Sequence, residues 1–406
     1  MRIGIDARFL THPQCGGFKT YTVNLLAALQ EADRDHDYVL YTDREPTAGT
    51  VLTRGPNFVC RVVPGTWTGP WREQVSLRRQ VARDRLDLMH FPCNTATVGI
   101  GVPFVLTLHD TIQLAARPVA PGVGPGDPPG WRRRAMNAYA RRTIRPAVRS
   151  ARRIIAVSVA ERARIVEELG VAPERIAVTH EAADPVFRRL DAVARAGLAP
   201  MLASRFGIRF PYVLAVGYEP RKNIPMLIRA FARLRSPGPR QLVIVAASMP
   251  RREAFADLAR SLGIGDRVLA LAVPDVHHLV ALYNGAEVFA FPSSREGFGL
   301  PPLEAMSCGA PTVALRASSV PEVLGDAARL VDAVDPGAWA TALDDLLADE
   351  PARMDLRRHG LARAGTFSWR RCAEETIAVY RAARGVDPDV PVEPASRFDA
   401  STGSAA

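Results

Sequence analysis

The sequence predicts an α/β protein made of two doubly wound, mostly parallel halves. Three observations carry that expectation. Short apolar runs alternate with helix-periodic segments, the second half repeats the grammar of the first, and 406 residues exceed what one ordinary domain holds.

RIGIDARFL is an apolar strand; a loop with Gly16 and Gly17 follows, and TYTVNLLAALQEA sets apolar residues at helical spacing. YVLYT and NFVCRVV read as strands, WREQVSLRRQVARD as a helix, and LDLMHFP and PFVLTLHD as short apolar strands with polar ends. In IIAVSVAERARIVEELGV a strand runs into a helix, with Ser158 and Glu161 as an S-x-x-E capping box and Gly170 closing the helix. The second half runs YVLAVG into a helix near Asn223, LVIVAAS into RREAFADLARSLG, VLALAV into HHLVALYNGA, and VFAFPS into SREGFGLPPLEAMSCGAPTVA; PTVAL and ARLV follow. These patterns predict an N-terminal domain over 1–190 and a C-terminal domain over 205–365, with the change of pattern between Phe187 and Arg209. An amphipathic closing helix is expected over 366–384 and a disordered Pro/Ser/Asp-rich tail over 385–406. Ala116 to Trp131 is a long irregular stretch, read either as a functional loop or as a solvated connection.

Composition excludes several classes. At 48% hydrophobic and 23% charged the chain is globular. No run approaches the roughly 18 apolar residues of a membrane span, and MRIGIDARFL reads as a strand rather than an export signal, so a cytoplasmic site is expected. Cys15, Cys60, Cys93, Cys308 and Cys372 are odd in number and form no C-x-x-C, which predicts reduced core or near-core thiols and no zinc site. The net charge of +10 rests on arginine, because Lys19 and Lys222 are the sole lysines. A lysine kept in such a chain marks a place suited to a compact point charge.

Ligands of open α/β sheets sit beyond the carboxyl ends of strands. After YVLAVG, Arg221 and Lys222 stand just before a helix that Asn223 would cap, with Pro225 in its first turn; two cations beside a helix N-terminus suit a diphosphate. After VFAFPSS, Pro301 and Pro302 start a helix at about Leu300, so Glu296 is a loop residue and Glu304 a first-turn helix residue. Gly297, Phe298 and Gly299 bring backbone close to a ligand, and a carboxylate there suits sugar hydroxyls better than phosphate.

SREGFGLPPLEAMSCGAPTVA resembles the E-x7-E signature of the family 4 retaining glycosyltransferases. The likeness continues in register through GGFKTYTVNLLAAL, LTLHDT, VSVAERARIVEELGV, GYEPRKN and LYNGAEVFAFPSS. It implies the GT-B fold, two Rossmann-like domains facing a central cleft, and a nucleotide-sugar donor with a sugar or lipid-linked acceptor. By the same resemblance Arg221 and Lys222 hold the diphosphate and Glu304 the ribose, while Glu296 and the amides of Gly297, Phe298, Gly299 and Leu300 hold the transferred sugar and its phosphate. Val273 lies near the base. His109 is the active-site histidine, assigned to positioning and electrostatics, with a backbone-satisfied strand-end histidine as the plainer reading. Gly16 and Gly17, with Lys19, form the loop facing the cleft. No metal or other cofactor is implied. The chain departs from the family at GGFKT, where G-G-I-G-R is frequent, and at THEAAD, where P-N-G-V-D is frequent and Asp184 still matches; at Ala272 a frequent glycine is absent.

DRDHD, Asp33 to Asp37, holds D-x-D patterns but falls in a helix-to-strand connection and reads as a solvated turn. Trp131 to Arg153 carries nine arginines and no acid; it is either a solvated helix surface or a peripheral contact with anionic membrane. Nothing interleaves aromatics with those charges, so no nucleic-acid partner is expected. A non-catalytic sugar-nucleotide-binding or scaffold protein is the alternative to a transferase.

Overall fold

A computed structural model describes residues 1–12, 16–47, 55–64, 69–112, 130–235, 238–273 and 275–385, apart from the side chains of 130–134, 136 and 137. Cys15, most of the Ala116–Trp131 stretch and the expected disordered tail lie outside the described residues. The chain forms two compact units. One gathers the described residues of Met1–Leu114, Met136–Glu181 and Trp369–Ala406, the other those of Ala115–Ala135 and Ala182–Ser368.

The N-terminal unit holds a seven-stranded sheet of β1 (Arg2–Ile5), β2 (Asp37–Thr42), β3 (Phe58–Val62), β4 (Leu88–Phe91), β5 (Phe104–Leu108), β6 (Arg153–Ala156) and β7 (Ile176–Val178), ordered β3-β2-β1-β4-β5-β6-β7. Every pairing is parallel. Parallel strands are covered on both faces and read as unbroken apolar runs, as in FVLTL of β5, every residue of which is buried. The Gly130–Ser150 helix turns Ala140, Ile144, Ala147 and Val148 into this core and leaves Arg142, Arg145 and Arg149 exposed. The predicted cap is present at the Val159–Leu169 helix, where Ser158 Oγ accepts from the Glu161 N–H and Gly170 takes the left-handed end. The closing Trp369–Ala383 helix packs on the Gly17–Ala32 helix and buries Tyr380, whose hydroxyl meets His90 Nδ1 at 2.7 Å.

The C-terminal unit repeats the plan with β8 (Tyr212–Val216), β9 (Gln241–Val245), β10 (Val268–Leu271), β11 (Val288–Phe291), β12 (Thr312–Leu315) and β13 (Arg329–Val331), ordered β10-β9-β8-β11-β12-β13 and again all parallel. Its core joins Val213, Leu227, Phe231, Ile244, Val288, Val313, Trp339 and Leu343. In both sheets the strand order reverses beside the first strand, at β1/β4 and at β8/β11, and those switch points are where open sheets hold ligands.

DRDHD is not the solvated turn the sequence suggested. Asp33 is buried at the end of the Gly17–Ala32 helix and accepts from the Asp35 N–H and the Tyr38 hydroxyl, with His36 Nδ1 at 2.6 Å. A carboxylate that ends a helix and ties down the next strand is structural. Cys60, Cys93, Cys308 and Cys372 are free thiols, the last three buried. Among the described residues, no helix is long and apolar enough to cross a membrane.

Candidate functional site

Adjacent strands β8 and β11 deliver their exits to the same place. The β8 exit carries Arg221 and Lys222 on a short 3-10 turn, Pro220–Lys222, and the β11 exit carries Ser293 and Glu296. The loops are knit by backbone: the Ser294 N–H donates to the Arg221 carbonyl at 2.9 Å, and Asn223 Nδ2 donates to the Pro292 carbonyl at 2.8 Å. Asn223 therefore does not cap with its side chain, as the sequence suggested. It sits at φ 51° before the Ile224–Phe231 helix and spends its amide on tying the two exits together.

Glu296 Oε1 accepts from Lys222 Nζ at 2.6 Å, from Arg221 and from the Ser293 hydroxyl. The Lys222 side chain is 7% exposed, that of Glu296 10%. Burial is the largest influence on this carboxyl and pushes its pKa up, but the charges of Lys222 and Arg221 and the hydrogen bonds of Lys222 and Ser293 outweigh it, holding the group below the usual range. Lys222 is framed further by Phe291, whose ring centroid lies 4.6 Å from Nζ, and by Gly217. At φ 118°, Gly217 lets the lysine stem pass where a Cβ would stand 2.8 Å from its Cγ. So Glu296 faces Arg221 and Lys222 themselves here, a contact the expectation of a hydroxyl-facing acid did not include.

The next helix starts at Leu300, as Pro301 and Pro302 required, but Glu304 is its fifth residue and lies past the first turn. Tyr283, on the Val276–Gly285 helix, donates its hydroxyl to Glu304 Oε2 at 3.1 Å. Burial, the largest cause, raises this carboxyl to about 7, and the Asp184 charge adds to that, while Tyr283 and Lys222 pull the other way. Phe298 turns inward, with its ring 5.6 Å from Phe367 and its carbonyl taking the Ser319 hydroxyl at 2.7 Å. Gly299, at φ 109°, precedes the helix. Val273 follows β10, an edge strand two places from β8 on the same carboxyl-end side.

In the N-terminal unit His109 leaves β5 beside the β4 exit. Its backbone N–H donates to Asn94 Oδ1 at 2.8 Å, its Nε2 meets the Pro92 carbonyl at 2.8 Å, and its Nδ1 meets Glu181 Oε1 at 2.9 Å. Asp110 accepts locally from the Ile112 N–H. Gly16, at φ 136°, and Gly17 are exposed at the start of the Gly17–Ala32 helix, and Lys19 donates to the His12 carbonyl at 2.9 Å. Sequence reasoning missed Ser293, Tyr283 and Glu181. Only Glu181 left a signal, as the acid inside the atypical THEAAD.

The chain is similar to known proteins over most of its length. Residues 15–187 match the family model described as Glycosyltransferase Family 4, and residues 209–363 the one described as Glycosyl transferases group 1. The serotype-specific mannosyltransferase WbdA of Escherichia coli is 31% identical over 229 residues, 55% of this chain and 28% of that protein. A D-inositol 3-phosphate glycosyltransferase of Salinispora tropica is 33% identical over 296 residues, 69% of this chain and 59% of that one. The matched stretch is thus less than two thirds of either relative. Among solved structures, Anabaena HepE in complex with UDP and glucose superposes with a TM-score of 0.69 at 17% identity, over 94% of this chain and 99% of that one.

Proposed function

Because the chain belongs to the family 4 glycosyltransferases and has the GT-B fold, we propose that it moves a hexose from a UDP- or GDP-linked sugar to a hydroxyl acceptor with retention of configuration. Candidate acceptors are a glycan, a glycolipid or a secondary-metabolite precursor. The observation that supports this most is the cluster of Arg221, Lys222 and Glu296 at the β8/β11 switch point.

In this reading Arg221 and Lys222 take the diphosphate, supplying the positive charge that a divalent ion supplies to leaving diphosphates elsewhere, so that no metal is required. Glu296 then exchanges its cations for the phosphate and accepts from hydroxyls of the transferred sugar, with the backbone of Gly297 to Leu300 alongside. Glu304 accepts from the ribose, and Val273 lines the base. Between them these groups orient the donor and stabilise charge on the leaving group, the two largest contributions a transferase can make without covalent chemistry. His109 and Glu296 are each proposed as catalytic residues, and Gly16, Gly17 and Lys19 as the acceptor loop. We place the enzyme in the cytoplasm, with the exposed arginines of the Gly130–Ser150 helix as a peripheral contact for anionic lipid; salt-sensitive flotation with anionic vesicles tests that contact.

The deciding experiment is a thermal-shift panel of UDP-, GDP- and ADP-sugars on wild type and Lys222→Ala, followed by assay of nucleoside diphosphate release with and without acceptors. Stabilisation by one nucleotide sugar, lost in Lys222→Ala, and acceptor-dependent release are expected. No stabilisation by any of them overturns the reading, and tight donor binding with no turnover across acceptors makes the chain a binding protein.

A further inference from the structure

Two departures from the family's usual motifs meet on one side chain. Phe18 stands in GGFKT and Glu181 in THEAAD, and both touch His109. The imidazole is buried between the Phe18 and Tyr21 rings, with centroids 5.0 and 4.6 Å away at 71° and 89°. A carbonyl oxygen only accepts, so the contact to Pro92 requires a proton on Nε2. That leaves Nδ1 facing a carboxylate at 2.9 Å, where a bare nitrogen would set lone pair against lone pair. A second N–H satisfies the contact, and the ring then carries a positive charge opposite Glu181.

The groups facing the ring agree. Burial is the largest influence and lowers the pKa of His109, yet the Glu181 hydrogen bond and charge, the Pro92 carbonyl and Asp110 together raise it above its ordinary value. His90, on β4, is pushed down to about 3 by burial and by His109, so it is neutral, and burial keeps the Tyr21 phenol protonated. No second cation competes from these neighbours.

We propose that Glu181 is a positioning residue that holds His109 as an imidazolium with both N–H groups committed, Phe18 and Tyr21 forming its walls. His109 then enters sugar transfer as a fixed cation and not as a proton acceptor, and the acceptor's proton passes to the oxygen of the departing diphosphate. The functional half of this rests on the transferase reading; the charge state does not.

The test is nitrogen-15 histidine NMR on the full chain, with His109 assigned by His109→Gln, in wild type, Glu181→Gln, Glu181→Asp and Phe18→Leu. In wild type both ring nitrogens stay protonated at pH 7 and lose a proton only at higher pH than an ordinary histidine does, because a raised histidine pKa delays proton loss. Glu181→Gln titrates near or below the ordinary value, Glu181→Asp keeps the charge, and Phe18→Leu keeps the charge but loosens the ring. A histidine of ordinary pKa about 6.5 loses roughly twenty-five-fold in protonated fraction between pH 6 and 8. Acceptor-dependent diphosphate release should fall by about that factor over this range in Glu181→Gln and by less in wild type. A bare nitrogen on His109 in wild type at pH 7, or an unchanged signature in Glu181→Gln, overturns the proposal. If Glu181→Gln does not fold, a Glu181→Asp protein whose His109 loses its proton by pH 7 overturns it equally. Absence of any transfer with the signature intact would count against the transferase reading and leave the charge state standing.

Discussion

Glu296→Gln is the sharpest probe of the proposed donor site. The substitution keeps shape and takes one charge from a side chain 10% exposed, leaving Lys222, 7% exposed, and Arg221, 22% exposed, side by side without a counter-ion. Removing one partner of a buried ion pair costs about 3–5 kcal/mol. Arg221 reaches solvent, which favours the lower end. In a unit of this size each kcal/mol moves the melting temperature by roughly 2–4 °C, so a fall of about 6–12 °C is expected for the C-terminal unit at the low end. The wild-type carboxyl sits below its ordinary range, so its contribution is present above the unfolded carboxylate pKa and disappears as pH falls through the lowered folded value. The gap between the two proteins should therefore close in acid. A nucleoside diphosphate restores the missing anion, so UDP or GDP should raise the melting temperature of Glu296→Gln more than that of wild type while transfer is lost. Differential scanning fluorimetry with and without nucleotide reads all of this. A variant that melts within ~2 °C of wild type, or gains no more from nucleotide than wild type does, refutes the reasoning.

Other outcomes follow from the same geometry. Glu304 binds its proton more tightly folded than unfolded, so wild type loses stability as pH rises from the ordinary carboxylate value through about 7. Glu304→Gln should remove that loss, gaining on the order of 3 kcal/mol in denaturant titrations above neutral pH and weakening donor binding. Gly217→Ala places a Cβ 2.8 Å from Lys222 Cγ at φ 118°; it should cost on the order of 1–3 kcal/mol and reduce donor affinity in calorimetry without touching a ligand group. Ser158→Ala removes the cap on the Glu161 N–H and should cost about 1 kcal/mol in urea unfolding, with transfer unaffected.

Much of the fold was legible because its signals are local. Strand–helix alternation gave the two parallel sheets, Ser158 and Glu161 gave a cap, and Pro301 with Pro302 fixed a helix start at Leu300. The site was legible as separate residues but not as an arrangement. Arg221 and Glu296 lie 75 positions apart and meet because β8 and β11 are neighbours, a fact of strand order that neither stretch contains. Asn223 and Asp33 were misread for a related reason. Both types suit caps and turns, yet the partners their side chains found, the Pro292 carbonyl 69 positions away and the Tyr38 hydroxyl in the next strand, decided their roles. Tyr283 was invisible because a tyrosine in a helix announces nothing until the chain brings it to Glu304, and Glu181 showed only as the acid inside the atypical THEAAD until folding set it against His109.

The return of the Trp369–Ala383 helix has a consequence for the order of assembly on the ribosome. Its Tyr380 is the partner of buried His90, and its Cys372 lies 3.8 Å from Thr179. The N-terminal sheet is complete in sequence by Val178, yet the helix that covers it begins only at Trp369. At about 5–20 residues per second, roughly 10–40 s of synthesis separate the two. During that interval the sheet stands with a gap where the helix will lie, so the first-made unit should be the last to become protease-resistant. A released chain truncated after Ser368 should show the C-terminal unit protected while the N-terminal one is still cut.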